Sequence, residues 1–367
     1  MLKKIIGFFI LFLYFLVTAV GLTEGPLISF QSLILGIIGL VTLILVSSEI
    51  AVRLGLVDSP DGVRKNHQGT IPLIGGFVLF LSFLYGSFVF GVDPFYQYLI
   101  LSLIPILIIG TIDGIKGIVL PVSIRIISQI LASWIVILIT DIYISDLGNL
   151  FGTGVIELNQ LGIPFTIFGV VGLCNAFNML DGKDGLAGSV AVSIFSGLFL
   201  FLYLDGVIYN WGGILVLSLL IYLAFNLNLF GQKRKIFLGD HGSTGLGHIV
   251  AWSFVFLSQE KEIITPVSAL YFVIVPLLDA LLTFARRIRS SKSIFHGDSR
   301  HFHHLLSNWG FSNSKVLLII SSLSTIGVFF GVLSNLFKID EFILFYIFIT
   351  IFVCLFISGR TKPNNFS

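Results

Sequence analysis

Asn175, Asn178, Asp181 and Asp184 fall at every third position of the segment NAFNMLDGKDGLAG (175–188). Positions i and i+3 share a helix face, so the spacing predicts a row of oxygen ligands. Gly182 and Gly185 would let a ligand approach the backbone. A hard cation such as Mg²⁺ takes oxygen ligands and needs few from the protein when substrate phosphates supply the rest. The competing reading is a polar turn between two helices; four such residues in register weigh against it.

Three further carboxylates stand at the ends of apolar runs or within them. Asp240 lies between Gly239 and Gly242, with Ser243 and Thr244 following at the mouth of the next apolar run. Backbone amides at a helix start favour anions, and a carboxylate there can carry a metal to the same phosphate. A plain N-cap is the alternative, although it leaves the clustered glycines unexplained. Asp113 closes an apolar run, a costly position for a carboxylate unless it is solvated, paired or functional; as a lone feature, solvation is the commoner case. Asp279 lies within an apolar run about two turns before Arg286. It reads either as a functional acid or as the partner of a nearby arginine.

Cations complete the set. Arg64, Lys65 and His67 precede a Gly/Pro-rich stretch that re-enters the next apolar run, and Lys116 follows Asp113. Such side chains can hold a phosphate or lipid headgroup, or be ordinary flanking charge. Arg300, His301, His303 and His304 form a cluster in HGDSRHFHHLL. Zinc is a rival there because histidine is a common metal ligand. The segment lacks cysteine, has only Asp298 as a nearby acid, and carries no H-E-x-x-H pattern. A diphosphate suits arginine and histidine better.

The elements that must position these residues are membrane helices. The chain has 367 residues, 56% hydrophobic and 11% charged, with a mean hydropathy of +1.03. A soluble domain carries about 25% charged residues, so lipid must cover much of this surface. A spanning helix needs ~20 apolar residues. Such runs centre on 5–22, 32–54, 71–91, 97–112, 122–142, 160–176, 187–204, 212–227, 243–258, 266–285, 315–336 and 341–358. They are too long and continuous for barrel strands. The expected fold is therefore all-α, a polytopic transmembrane helix bundle of about 11–12 spans. Residues 1–30 read as an N-terminal anchor, since no small-residue cleavage site follows; 31–367 read as one membrane domain.

With the N-terminus inside, every Lys and Arg except Lys261 and Lys338 falls on the inner side. By the positive-inside rule, this predicts a multi-pass protein of the bacterial inner membrane with both termini cytoplasmic. The candidate residues then share the cytoplasmic face. Cys174 and Cys354 lie in apolar runs and read as small core residues. The formal net charge of +2 says little about partners; membrane lipids are implied, and no nucleic acid is expected.

Oxygen ligands for a cation beside cations for phosphates suit phosphoryl transfer, in which positioning and charge neutralisation do most of the work. The segments GLVD-P-RK-HQG-IPL-GG (55–76), NAFNMLDGKDGL (175–186), FNLNLFGQKRKIFLGDHGST (225–244), TPVSALYFVIVPLLDALLTFARRIR (265–289) and HFHHLL (301–306) resemble, in that order, the polyprenyl-phosphate N-acetylhexosamine-1-phosphate transferases. The likeness covers roughly residues 40–335. It implies transfer of N-acetylhexosamine-1-phosphate, GlcNAc-1-phosphate above all, from a UDP-N-acetylhexosamine to undecaprenyl phosphate. UMP leaves, and a cell-surface polysaccharide such as an O-antigen or common antigen is begun.

The resemblance implies Mg²⁺, or Mn²⁺ in its place, on Asn178 and Asp240. It gives catalytic roles to Asp113, Asp181 and Asp184, with Asn175 and Asp184 lining the nucleotide region. Arg300, His301, His303 and His304 would contact the diphosphate, and Arg64, Lys65, His67 and Lys116 the lipid phosphate.

Two positions depart from the family pattern. Gly114 stands where relatives carry the second acid of an Asp-Asp pair, and Ser299 where they carry Arg or Lys, with Arg300 one residue later. The segment 5–22 is an addition before the usual eleven helices. A transporter or flippase, and a catalytically impaired relative, remain as alternatives. Oligomeric state is left open, a homodimer included.

Overall fold

The computed structural model describes residues 30–59, 69–89, 92–206, 210–289 and 301–358, with the side chains of 30–35, 88–89, 210–212 and 214 excepted. The apolar run 5–22 lies outside the described residues. Every later run is helical, and the chain is an all-α bundle of membrane-spanning helices.

In chain order the helices are α1 (Phe30–Leu54), α2 (Gly75–Val89), α3 (Pro94–Ser102), α4 (Ile104–Asp113), α5 (Val122–Thr140), α6 (Gly162–Leu180) and α7 (Leu186–Leu204). There follow α8 (Asn210–Asn226), α9 (Asp240–Val255), α10 (Pro266–Phe272), α11 (Ile274–Arg289), α12 (Phe302–Asn308), α13 (Asn313–Leu336) and α14 (Glu341–Ser358). By length and composition, seven spans among the described residues can cross a membrane, α3 and α4 together forming one of them. The run 266–285 is not one straight helix. It is the pair α10–α11, bent by 91° at Val273, which would make an eighth. Helices α2, α8 and α9 have 15, 17 and 16 residues, short of a full lipid-exposed span.

The short α9 is the bundle's axis. Every residue from His241 to Val255 is buried, as expected of a helix that meets protein on all sides. Its approach to α6 depends on Gly247, where an added Cβ would lie 2.6 Å from the Leu173 carbonyl and 2.7 Å from the Cys174 Cα. Some polar groups along α9 are paired: Ser253 Oγ donates to the Ile249 carbonyl at 2.7 Å, and His248 Nε2 lies 2.9 Å from Ser102 Oγ. Both ring nitrogens of His241 and the Trp252 Nε1, by contrast, have no hydrogen-bond partner among the described residues. At the periphery, α14 presents Tyr346, Val353 and Ile357 outward, as a lipid-facing helix should. Cys354 is exposed on that helix, whereas Cys174 is buried; only the latter is a core residue.

Backbone pairing ties the loops at one end of the bundle. Strands β1 (Val57–Asp58) and β2 (Ile71–Pro72) pair antiparallel, and bridges join Leu56 to Ile115 and Leu73 to Phe237. Lys116 N donates to the Gly55 carbonyl at 2.8 Å, Phe237 N to Pro72 at 2.9 Å and Gly76 N to Leu238 at 3.0 Å. Segments distant in sequence therefore share one scaffold at that end.

Candidate active site

The site is built where α4, α5, α6 and α9 end or begin at this scaffold. Asp240 is the first residue of α9, and Gly239 is its N-cap at φ +75° with no side-chain cap bond. The simple N-cap reading of Asp240 is thus replaced. Its carboxylate is aimed across the bundle, where Oδ2 lies 2.8 Å from Arg125 Nη1 on the first turn of α5. The same Nη1 is 3.5 Å from Asp113 Oδ2 at the end of α4. Asp113 Oδ1 accepts the Leu120 N–H at 2.6 Å. One guanidinium therefore holds two of the expected acids beside each other.

The four-residue row on 175–184 does not run along a single helix face. α6 ends at Leu180; Asp181 is its C-cap, and Asp184 lies in the turn beyond. Glycine 185, at φ +76°, then opens α7. The ending is forced by this turn, so Asn175 and Asn178 are held by the helix and the two aspartates by the turn. Asn178 Nδ2 donates to Ser243 Oγ on α9 at 3.0 Å. Asn175 Nδ2 donates to Gln129 Oε1 on α5 at 2.7 Å and to the Val171 carbonyl at 2.8 Å. Asp184 Oδ2 meets Lys235 Nζ at 2.5 Å. The Asn226 side chain fastens the turn, accepting from Gly185 N and donating to the Ile236 carbonyl.

Burial, and then the negative charges of Asp240 and Asp184, push Asp181 well above the usual carboxylate range. Asp181 thus feels the charge of Asp240 and Asp184, although Arg125 pairs with the first and Lys235 with the second, and a further cation would relieve its position. Among the described residues no three His, Cys, Asp or Glu side chains form a ready-made cage. A hard cation that shares its coordination with amide and phosphate oxygens fits this donor set.

The histidines complete one wall. His301 Nδ1 lies 2.9 Å from Asp279 Oδ2, and Asp279 Oδ1 accepts the Phe302 N–H at 2.9 Å. Asp279 is buried within α11 with His301 as its partner; of the two readings left open, a functional acid or the partner of a nearby arginine, the second is not what the structure shows. Asp279 meets the start of α12 through both carboxylate oxygens. His303 packs against Gly182 so closely that a Cβ there would strike its ring. Burial, and next the neighbouring His304, His301 and Lys183, push His303 down to about 3. Neither of its ring nitrogens has a hydrogen-bond partner among the described residues.

Asp113, Asn175, Asn178, Asp181, Asp184, Asp240, His301, His303 and His304 are accordingly brought to one end of the bundle. Lys116 is exposed at the rim. Arg64, Lys65, His67 and Arg300 lie outside the described residues. Sequence reasoning missed Arg125, Gln129 and Lys235. The signal for the first two was a polar pair at i and i+4 in an otherwise apolar helix. At Gly114, an added Cβ would lie 2.8 Å from Leu56 Cδ1 and 3.3 Å from Leu73 Cδ1. The missing second acid therefore coincides with a spot where two leucines pack on the chain.

Known proteins share this sequence pattern. The profile described as "Glycosyl transferase family 4" matches residues 96–258. The undecaprenyl-phosphate alpha-N-acetylglucosaminyl 1-phosphate transferase of Escherichia coli O157:H7 is 34% identical over 294 residues, 78% of each chain. The proteins of that name from Yersinia pestis and Haemophilus influenzae are 31% and 34% identical. They cover 84% and 88% of this chain and 85% and 91% of their own. With this identity along most of its length, the chain belongs to the same family as these 1-phosphate transferases.

Proposed function

We propose that the protein transfers N-acetylhexosamine-1-phosphate, most directly GlcNAc-1-phosphate, from its UDP-sugar to undecaprenyl phosphate. An oxygen of the lipid phosphate attacks the β-phosphorus of the donor. The bond from that phosphorus to the bridging oxygen breaks, and UMP leaves with the electron pair. The observation that carries the reading is the Arg125 guanidinium held between Asp113 and Asp240 beside the raised carboxyl of Asp181. Phosphoryl transfer asks for this combination of positioned cations and acids around accumulating phosphate charge.

In this reading Asp240 and the amide oxygen of Asn178 hold Mg²⁺, or Mn²⁺. When bound, the ion neutralises diphosphate charge and favours departure of UMP. Arg125 orients the carboxylates and faces incoming phosphate, with Lys116, Arg64, Lys65 and His67 serving the lipid phosphate. Asp113 is the acid nearest that route. Asp181 and Asp184 border the reacting phosphates, and Asn175 and Asp184 line the nucleotide. His301, His303, His304 and Arg300 take the diphosphate; the unpartnered nitrogens of His303 suit that role. The distribution of Lys and Arg supports a site facing the cytoplasm of the inner membrane. The product would start a surface polysaccharide.

The test is transfer of label from UDP-GlcNAc to undecaprenyl phosphate in Mg²⁺-containing membranes. A labelled lipid with stoichiometric UMP is expected. UMP release without lipid product, or undiminished transfer by Asp240→Ala, would overturn the assignment.

A further inference from the structure

The connection between α4 and α5 is unusual for a loop beside a polar site. It reads GIKGIVLP (114–121), and from 114 to 140 the only charged residues are Lys116 and Arg125. Val119 is 90% exposed, and Ile118 is exposed beside it. The loop is not slack. Lys116 N is bonded to the Gly55 carbonyl and Ile118 N to Ile115, and Gly117 turns the chain at φ +89°. Asp113 itself clasps the far side through Leu120 N at 2.6 Å. A fixed backbone therefore thrusts apolar side chains outward, which water would penalise.

The surroundings say what covers them. Exposed apolar side chains stand on both flanks of the loop, Ile108 and Ile112 on α4 and Val122, Ile124 and Ile127 on α5, with Ile118 and Val119 between them. The helix part of that surface faces lipid. Lys116 stands on the same loop with an aliphatic stem and a terminal charge, the form that reaches a headgroup from apolar surroundings.

We propose that residues 115–124 form a lip seated in the bilayer leaflet on the site's side, and that it is the sill over which the lipid phosphate enters sideways to Asp113 and Arg125. The seating needs only the membrane fold. The entry route rests on the transferase reading above. Because Asp113 and the lip share a hydrogen bond, seating the lip in lipid also sets the acid that greets the incoming phosphate. The acceptor's headgroup then travels at the depth of Lys116 while its chain stays along α4 and α5.

Both halves can be tested on the full chain. In a Cys354→Ser background, Val119→Cys carries an environment-sensitive fluorophore, and the protein is placed in phosphatidylethanolamine–phosphatidylglycerol vesicles. Asn308→Cys, at an exposed polar position at the end of α12, serves as the aqueous control. Blue-shifted emission, quenched by phospholipid bearing a nitroxide near its ester end but not by iodide, is expected at 119. Iodide quenching equal to that at 308 overturns the seating. For entry, Val119→Asp should raise KM for undecaprenyl phosphate about tenfold and leave KM for UDP-GlcNAc within about twofold. Equal changes in both constants, or none, overturn the sill. If the parent protein transfers nothing, the transferase reading fails while the quenching result still decides the lip.

Discussion

Asp279 and His301 are 22 residues apart in the chain and 2.9 Å apart in the fold. The carboxylate spends its second oxygen on the Phe302 N–H, so the start of α12 is pinned to the middle of α11. A histidine whose Nδ1 is held this way presents Nε2 in one direction. Asp279→Asn keeps the shape and weakens the hold. We expect kcat to fall about tenfold or more, with protein yield preserved. Asp279→Ala should also lower thermal stability, because buried donors lose their acceptor. Steady-state kinetics and melting in detergent separate the two effects.

Arg125 spans 115 residues of sequence to reach Asp240. A single Nη1 meets both acids, at 2.8 Å from Asp240 and 3.5 Å from Asp113, and a lysine's shorter, more strongly hydrated head does not reach the same point from the same backbone position. Arg125→Ala should cost about a hundredfold in transfer, and Arg125→Lys should recover only part of it. Equal activity of the lysine variant and the parent would show that positive charge alone suffices at this position. The measurement is initial rate at saturating donor and acceptor.

His303 makes stability depend on pH. Its folded pKa, about 3, lies below the ordinary histidine value. The folded state therefore favours the neutral ring, and the unfolded chain binds the proton first. Stability is complete above about pH 6.5 and declines as pH falls from there toward 3. Melting temperature should drop between pH 7 and pH 5, and His303→Asn should flatten that slope. An unchanged slope would remove His303 as its source.

Gly114→Asp tests the departure from the family pair. The new side chain must move Leu56, whose Cδ1 would lie 2.8 Å from the added Cβ. A methyl at the end of a flexible side chain can give way, so a loss of about 1 kcal/mol in stability is expected. Transfer should already be present with Gly114. Absence of activity in the parent and its appearance in Gly114→Asp would instead favour the impaired-relative reading.

Gly247 controls the axis of the bundle. Gly247→Ala places a methyl 2.6 Å from the Leu173 carbonyl, and backbone cannot step aside as a side chain can. A loss of about 1–3 kcal/mol is expected, seen as a lower melting temperature and reduced yield. Asp240 and Ser243 ride on the same helix, so transfer should fall with it.

Composition and run lengths alone determined that this chain is a membrane helix bundle, since so few charges cannot solvate so large a surface. The order of its polar segments determined the family and nearly all the candidate residues. What a linear reading could not decide was who faces whom. It placed four residues on one helix face, but a turn at Asp181 and Gly185 divides them. It left Asp279 open between a functional acid and the partner of an arginine near in sequence, and only the fold sets it against His301. It passed over Arg125, which looks like flanking charge until Asp113 and Asp240 are folded against it. The physical reason is that hydrophobic periodicity reports where a residue lies relative to lipid and core. The partners of a buried charge are set by helix ends, breaks and glycine contacts between segments far apart in the chain, and those exist only in the tertiary structure.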